Sequence, residues 1–125
     1  MSLELYNSGL TYINKSILSQ MKDLKILGLM ENNIQHIPDD TFDLLTNLEE
    51  IYLYRNPLRQ IKINRLFLKL DKLRRLLIDN VPIVDLMDER FNFNSIEQIW
   101  LENLKKFCHS RRLLQQNEKK VANIN

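Results

Sequence analysis

The 125-residue chain is poor in the residues from which many small functional sites are made. Its two glycines, Gly9 and Gly28, cannot assemble a phosphate-cradling loop or a dinucleotide fingerprint, because both need several close glycines to bring backbone against phosphate. No cofactor is expected. The single cysteine, Cys108, cannot close an internal disulfide, and with His36 and His109 it falls short of the four ligands of an ordinary structural zinc site. No apolar run approaches the roughly 20 residues that cross a bilayer, so no membrane span is expected. The opening MSLELYNSGL carries Glu4 early and lacks a basic segment followed by an apolar one, so it does not read as a secretory signal. The fold must stand on packing.

With 44% hydrophobic and 27% charged residues and a net charge of +2, the composition is that of an ordinary soluble domain with one core. Within it, 23 Leu, 13 Ile and 14 Asn stand against one Ala and three Val, which points to a repeated unit. Self-similarity is present. The segment starting at Leu24 aligns with that starting at Leu48, further copies start at Leu73 and Ile96, and an earlier copy is under way at Met1. The shared template is LxxLxLxxNxLxxIxxxxFxxL. Its fourth position reads Leu3, Leu27, Ile51, Leu76 and Ile99, and its sixth Leu5, Leu29, Leu53, Ile78 and Leu101. The eleventh is Leu10, Ile34, Leu58 and Ile83; the fourteenth Ile13, Ile37, Ile61 and Leu86; the nineteenth Leu18, Phe42, Leu66 and Phe91. Every one is apolar, and the steps at the fourth position are 24, 24, 25 and 23 residues.

These columns resemble the leucine-rich-repeat family, in particular the 24-residue class of animal extracellular proteins, and are similar to the insect leucine-rich-repeat immune proteins. The resemblance implies an α/β repeat solenoid: five short parallel strands on a concave face, loops or short helical turns on the convex face, and a C-terminal capping helix. The solenoid would occupy residues 1–103, with copies at about 1–23, 24–47, 48–72, 73–95 and 96–103, and the capping helix and basic tail residues 104–125. Period two in a strand buries Leu27 and Leu29 and predicts that Gly28 is exposed.

Position nine, normally an Asn whose amide satisfies backbone where the strand turns away, is Ser8, Asn32, Asn56, Val81 and Leu104. A ladder is therefore expected in the central copies and an irregular turn in the later ones, with Pro57 and Pro82 stiffening the bend. Toward the C-terminus, Leu104, Phe107, Cys108 and Leu114 fall at helical spacing, which predicts the cap. There Cys108 is either a small buried hydrophobe or, by resemblance to cysteine-bearing caps, a link to another chain. At the N-terminus, Leu3, Leu5, Leu10 and Ile13 lack a cover, from which a partial gene product, self-association through that end or a tolerated edge follow as alternatives.

Catalysis is not expected. His36 sits in a loop before a core isoleucine, and His109 neighbours Cys108 on a predicted helix, where adjacent side chains diverge. Asp39, Asp40 and Asp43 read as a solvated group at a helix start rather than a cation site. A binding surface is expected instead. The residues between the strand leucines are Glu4, Gly28, Tyr52, Leu77 and Trp100; those just after the strand are Tyr6, Met30, Tyr54, Asp79 and Glu102; the next are Asn7, Glu31, Arg55, Asn80 and Asn103. The sole Trp and three of four Tyr thus converge, and such residues dominate interface energetics. Tyr6, Met30, Tyr52, Tyr54, Arg55, Leu77 and Trp100 are the predicted contact residues for a protein ligand, with Glu49, Glu50, Arg74 and Arg75 as a mixed-sign rim.

Residues 103–125 hold six basic groups and one acidic, but no aromatic interleaving or nucleic-acid motif accompanies them, so nucleic acid is not the favoured partner. Asn14-Lys15-Ser16 is a glycosylation sequon on a convex loop. It fits an extracellular protein lacking its signal, possible if the chain is a fragment, whereas the unpaired cysteine and absent signal fit a cytoplasmic adaptor or regulatory subunit.

Overall fold

The structure, a computed structural model, describes residues 1–78, 81 and 96–101, with backbone alone for 98–101. Its strands are β1 (Ser2–Glu4), β2 (Ile26–Gly28), β3 (Glu50–Tyr52), β4 (Arg75–Ile78) and β5 (Gln98–Leu101), and two helical turns, α1 (Lys15–Leu18) and α2 (Ile63–Leu66), lie between them. The strands pair in parallel in chain order, β1-β2-β3-β4-β5. Leu3 is the partner of Leu27, Leu27 of Ile51, Ile51 of Leu76 and Leu76 of Ile99, so the fourth-position column is one row across the sheet. Beyond β1, β2 and β3 as assigned, the ladder continues through Leu5 N–H to Gly28 C=O, Leu29 N–H to Tyr52 C=O and Leu53 N–H to Leu77 C=O.

Burial follows the columns. Leu27, Ile51, Leu76, Leu29, Leu53 and Ile78 are enclosed on the inner side of the sheet, and Ile34, Leu58, Ile37, Ile61, Leu18, Phe42 and Leu66 fill the layer beneath. At roughly 1.5–3 kcal/mol for each large apolar side chain removed from water, this array is the main source of stability. Phe42 and Phe67 from successive copies stack with ring centroids 6.0 Å apart and planes 9° from parallel. Leu3, Leu10 and Ile13 of the first copy are only partly covered.

The non-sheet side is built from short turns because each copy has few residues left to return to the sheet. Asn14 caps α1, its Oδ1 accepting from Ile17 N–H at 3.3 Å, and Leu18 anchors the turn in the core. For α2 no side chain caps the start, and buried Ile63 and Leu66 hold it down. The second copy has no helix here: residues 39–44 are turns, with Thr41 Oγ1 donating to Pro38 C=O at 2.6 Å. The expected helix start at Asp39, Asp40 and Asp43 is thus corrected. Asp40 pairs with Lys15 of the copy before, and Asp39 and Asp43 pair with Lys62 at 3.9 Å and Lys69 at 3.1 Å of the copy after. Neighbouring copies supply countercharges that a reading of one copy alone does not contain.

Strands β1, β2 and β3 are each left through a non-glycine residue in the left-handed region: Asn7 (φ 50°), Glu31 (φ 58°) and Arg55 (φ 58°). That conformation costs of order 1 kcal/mol or more per residue. It turns the chain so that position nine points inward. There Asn32 Oδ1 accepts from Ser8 N–H (2.9 Å) and Leu10 N–H (3.1 Å), while Nδ2 donates to Leu5, Leu29 and Met30 carbonyls. Asn56 repeats the pattern one copy later, accepting from Ile34 N–H (3.2 Å) and donating to the Leu29 (2.8 Å) and Leu53 (3.0 Å) carbonyls. Position nine of the next copy is Val81, a buried apolar side chain that continues the core rather than the ladder. The predicted capping helix over residues 104–125, with Cys108, lies outside the described residues, as do Pro82, Asp79, Asn80, Glu102 and Asn103.

Candidate functional site

The face of the sheet turned away from the core carries the residues between and after the strand leucines. Tyr6, Met30 and Tyr54 form one row of it. Backbone hydrogen bonds from Asn7 N–H to Met30 C=O (3.3 Å) and from Glu31 N–H to Tyr54 C=O (3.0 Å) hold the three side by side in adjacent copies. Tyr6 is 61% exposed, whereas Met30 and Tyr54 are half-buried. Beside them Arg55 is exposed, its Nη1 2.8 Å from Glu31 Oε1. Gly28 is not exposed, contrary to expectation. A Cβ there would lie 3.2 Å from Glu4 Cγ and 3.4 Å from Met30 Cε, so these flexible side chains fold over the gap that glycine leaves.

Toward the C-terminal side the face turns polar. Tyr52 is half-buried and donates its hydroxyl to Glu50 Oε2 at 2.5 Å. Burial raises the Tyr52 phenol above its ordinary range, and the Glu50 carboxylate adds to the effect, so the hydroxyl is a proton donor at neutral pH. Glu50, its side chain 8% exposed, also takes Arg74 Nη2 at 3.1 Å and Arg75 Nη1 at 3.4 Å. The expected rim is therefore corrected for Glu50: a carboxylate covered to this extent must be paired, and its partners come from β4 and the residue before it. Leu77 is half-buried, and strand register sets Trp100 beside it; the Trp100 side chain lies outside the described residues.

One feature of this face escaped the sequence reading. Position two is Lys25, Glu49, Arg74 and Glu97, alternating in sign from copy to copy. Lys25 Nζ lies 3.8 Å from Glu49 Oε1, Arg74 Nε 3.4 Å from Glu49 Oε2, and Arg74 Nη1 3.5 Å from Glu97 Oε2. The alternation was visible in the aligned copies; grouping charges by sequence neighbourhood instead of by column hid it.

Among the described residues no group of three His, Cys, Asp or Glu side chains is placed to hold a metal ion, and no helix is long and apolar enough to cross a membrane. At the N-terminal end, Leu3, Leu5, Leu10, Tyr12, Ile13, Asn14 and Ile17 line a cleft of about 370 Å³. Around it Leu5, Tyr12 and Ile17 are 37%, 69% and 54% exposed.

A family model described as leucine rich repeat matches residues 1–58 and again residues 24–83. The chain belongs to the leucine-rich-repeat family. The two matches overlap by shifting one copy along the chain, as they must where each copy packs only on its neighbours. Comparison with curated proteins finds no match. Leucine-rich-repeat domains commonly bind proteins.

Proposed function

We propose that this leucine-rich-repeat chain is a non-catalytic protein-binding module whose concave face, centred on Tyr6, Met30, Tyr52, Tyr54, Arg55, Leu77 and Trp100, holds a protein ligand. The observation that carries this is the row Tyr6, Met30 and Tyr54, held side by side by the sheet's own hydrogen bonds on the face away from the core. Aromatic and methionine side chains fixed in a row offer contact area at little further ordering cost. The paired Glu50, Arg74, Arg75 and Tyr52 cluster supplies oriented polar groups next to that row. In this proposal the arc comprises residues 1–103 in five strands, and residues 104–125 close its C-terminal end as a helix with a basic tail.

The test is capture of binding proteins on the immobilised chain from extracellular fluid and from cell extract of its source. Paired Tyr6→Ala and Tyr54→Ala substitutions, or Trp100→Ala, are expected to weaken capture by an order of magnitude or more. Leu44→Ala and Leu68→Ala, exposed on the return side of the copies, are expected to leave it unchanged. The reverse pattern would place the ligand on the other side.

We further propose that the protein is a secreted or cell-surface recognition molecule of the innate-immunity kind, supported by its 24-residue repeat and by the Asn14-Lys15-Ser16 sequon. Capture from cell extract alone favours the intracellular adaptor instead. The exposed Leu5, Tyr12 and Ile17 around the N-terminal cleft support self-association through that end. Light scattering that reports a monomer at all concentrations counts against it.

A further inference from the structure

Asn14-Lys15-Ser16 is the one Asn-X-Ser/Thr sequence in the chain, X not being proline. The fold sets all three residues on the exposed surface of the first copy. Asn14 has an extended backbone (φ −83°, ψ 101°), and its Oδ1 is engaged by Ile17 N–H. Its Nδ2, the atom that would carry a sugar, has no hydrogen bond among the described residues. Lys15 is drawn across to Asp40 of the next copy, away from its neighbours in the sequon. The Ser16 carbonyl accepts from Ser19 Oγ at 3.0 Å, and Ser16 itself is exposed. Asn14 also lines the N-terminal cleft together with Tyr12 and Ile17, so a group built on Nδ2 starts at the edge of the exposed apolar end.

We propose that Asn14 is an N-glycosylation acceptor and that its glycan covers the apolar N-terminal end while leaving the Tyr6, Met30 and Tyr54 row open. The inference rests on the extracellular reading. In the transfer step, Asn14 Nδ2 attacks the anomeric carbon of a polyprenyl-diphosphate oligosaccharide and a C–N bond forms. The C–O bond to the diphosphate breaks, the diphosphate leaves with the electron pair, and a base of the transferase takes the amide proton. A hydrophilic, branched group rooted beside Tyr12 and Ile17 keeps a second chain from packing there, which confines the self-association proposed above to the chain without the glycan.

The test expresses the full chain behind a cleavable secretion signal in eukaryotic cells. A lower electrophoretic mobility, reversed by peptide-N-glycosidase, is expected for the secreted chain and for Ser16→Thr. It should be absent from Asn14→Gln and Ser16→Ala. A secreted chain with no reversible shift overturns the site. Coverage is read by hydroxyl-radical footprinting at a dilution where light scattering reports monomers. Oxidation of Tyr12 and Ile17 should be several-fold lower in the glycosylated chain than in Asn14→Gln, with Tyr54 unchanged. Equal oxidation of Tyr12 and Ile17 in both overturns the covering role. The chain taken from its native source separates the two readings: if it lacks the shift while the secreted form has it, the extracellular assignment fails and the acceptor site stands.

Discussion

Replacing Asn32 by alanine removes one side chain and touches five backbone groups, which allows the cost to be worked group by group. Leu29 C=O keeps a partner, because Asn56 Nδ2 donates to it at 2.8 Å, and Met30 C=O keeps Asn7 N–H at 3.3 Å. Ser8 N–H, Leu10 N–H and Leu5 C=O lose the bonds that Asn32 supplied. At about 1 kcal/mol for each of these partly buried groups, Asn32→Ala should cost about 3 kcal/mol. That is a large share of the roughly 5–15 kcal/mol by which a domain is stable. Asn33→Ala, one residue away and exposed, is the control and should stay within about 0.5 kcal/mol. Urea unfolding of both variants measures the difference, and amide hydrogen exchange locates it, with protection falling first at Ser8 and Leu10. A loss for Asn32→Ala no greater than for Asn33→Ala would refute the ladder as a source of stability. A large loss without change in exchange at Ser8 and Leu10 would refute its route.

Phe42→Ala removes a fully buried ring stacked on Phe67 and should cost about 3–5 kcal/mol by urea denaturation. The Lys15 hydrogen bond holds the Asp40 carboxyl below its ordinary value of 3.8, so their pairing stabilises the fold above that pH. The contribution is lost as pH falls through the lowered folded value, and Lys15→Met should flatten this part of the acid limb of an unfolding profile. Burial raises the Tyr52 phenol above 10.0, so its contribution is present below that pH and is lost as pH rises through the folded value. Ultraviolet titration should therefore show a late-titrating tyrosine that Tyr52→Phe removes.

The inner half of the fold was legible because burial acts on side-chain type alone. Leu27, Ile51 and Leu76 are interchangeable in that respect, and their spacing states that they stack. Asn32 and Asn56 were legible through the family resemblance, which implies an asparagine whose amide satisfies backbone groups where the strand turns away. The outer half depends on pairs formed across copies. Asp39, Asp40 and Asp43 resemble a helix start until Lys15, Lys62 and Lys69 are set beside them, each 23 to 26 residues away in the chain. Glu50 likewise looks like a surface charge within β3 and becomes a covered one once Arg74 and Arg75 lie over it. Gly28 failed for a simpler reason: exposure was inferred from its side of the strand, and the neighbouring Glu4 and Met30 side chains fill the space that glycine leaves empty.

The asparagine ladder also has a direction, since each amide serves the turn of the copy before its own. Ser8 is closed by a residue 24 positions later, Ile34 by one 22 positions later, and Leu5 and Leu29 by residues 27 positions later. A chain emerging from the ribosome N-terminus first therefore holds its newest turn open until the next copy has been made. Order in this array trails synthesis by about one repeat, and a nascent chain paused between copies presents one unlatched turn at its growing end.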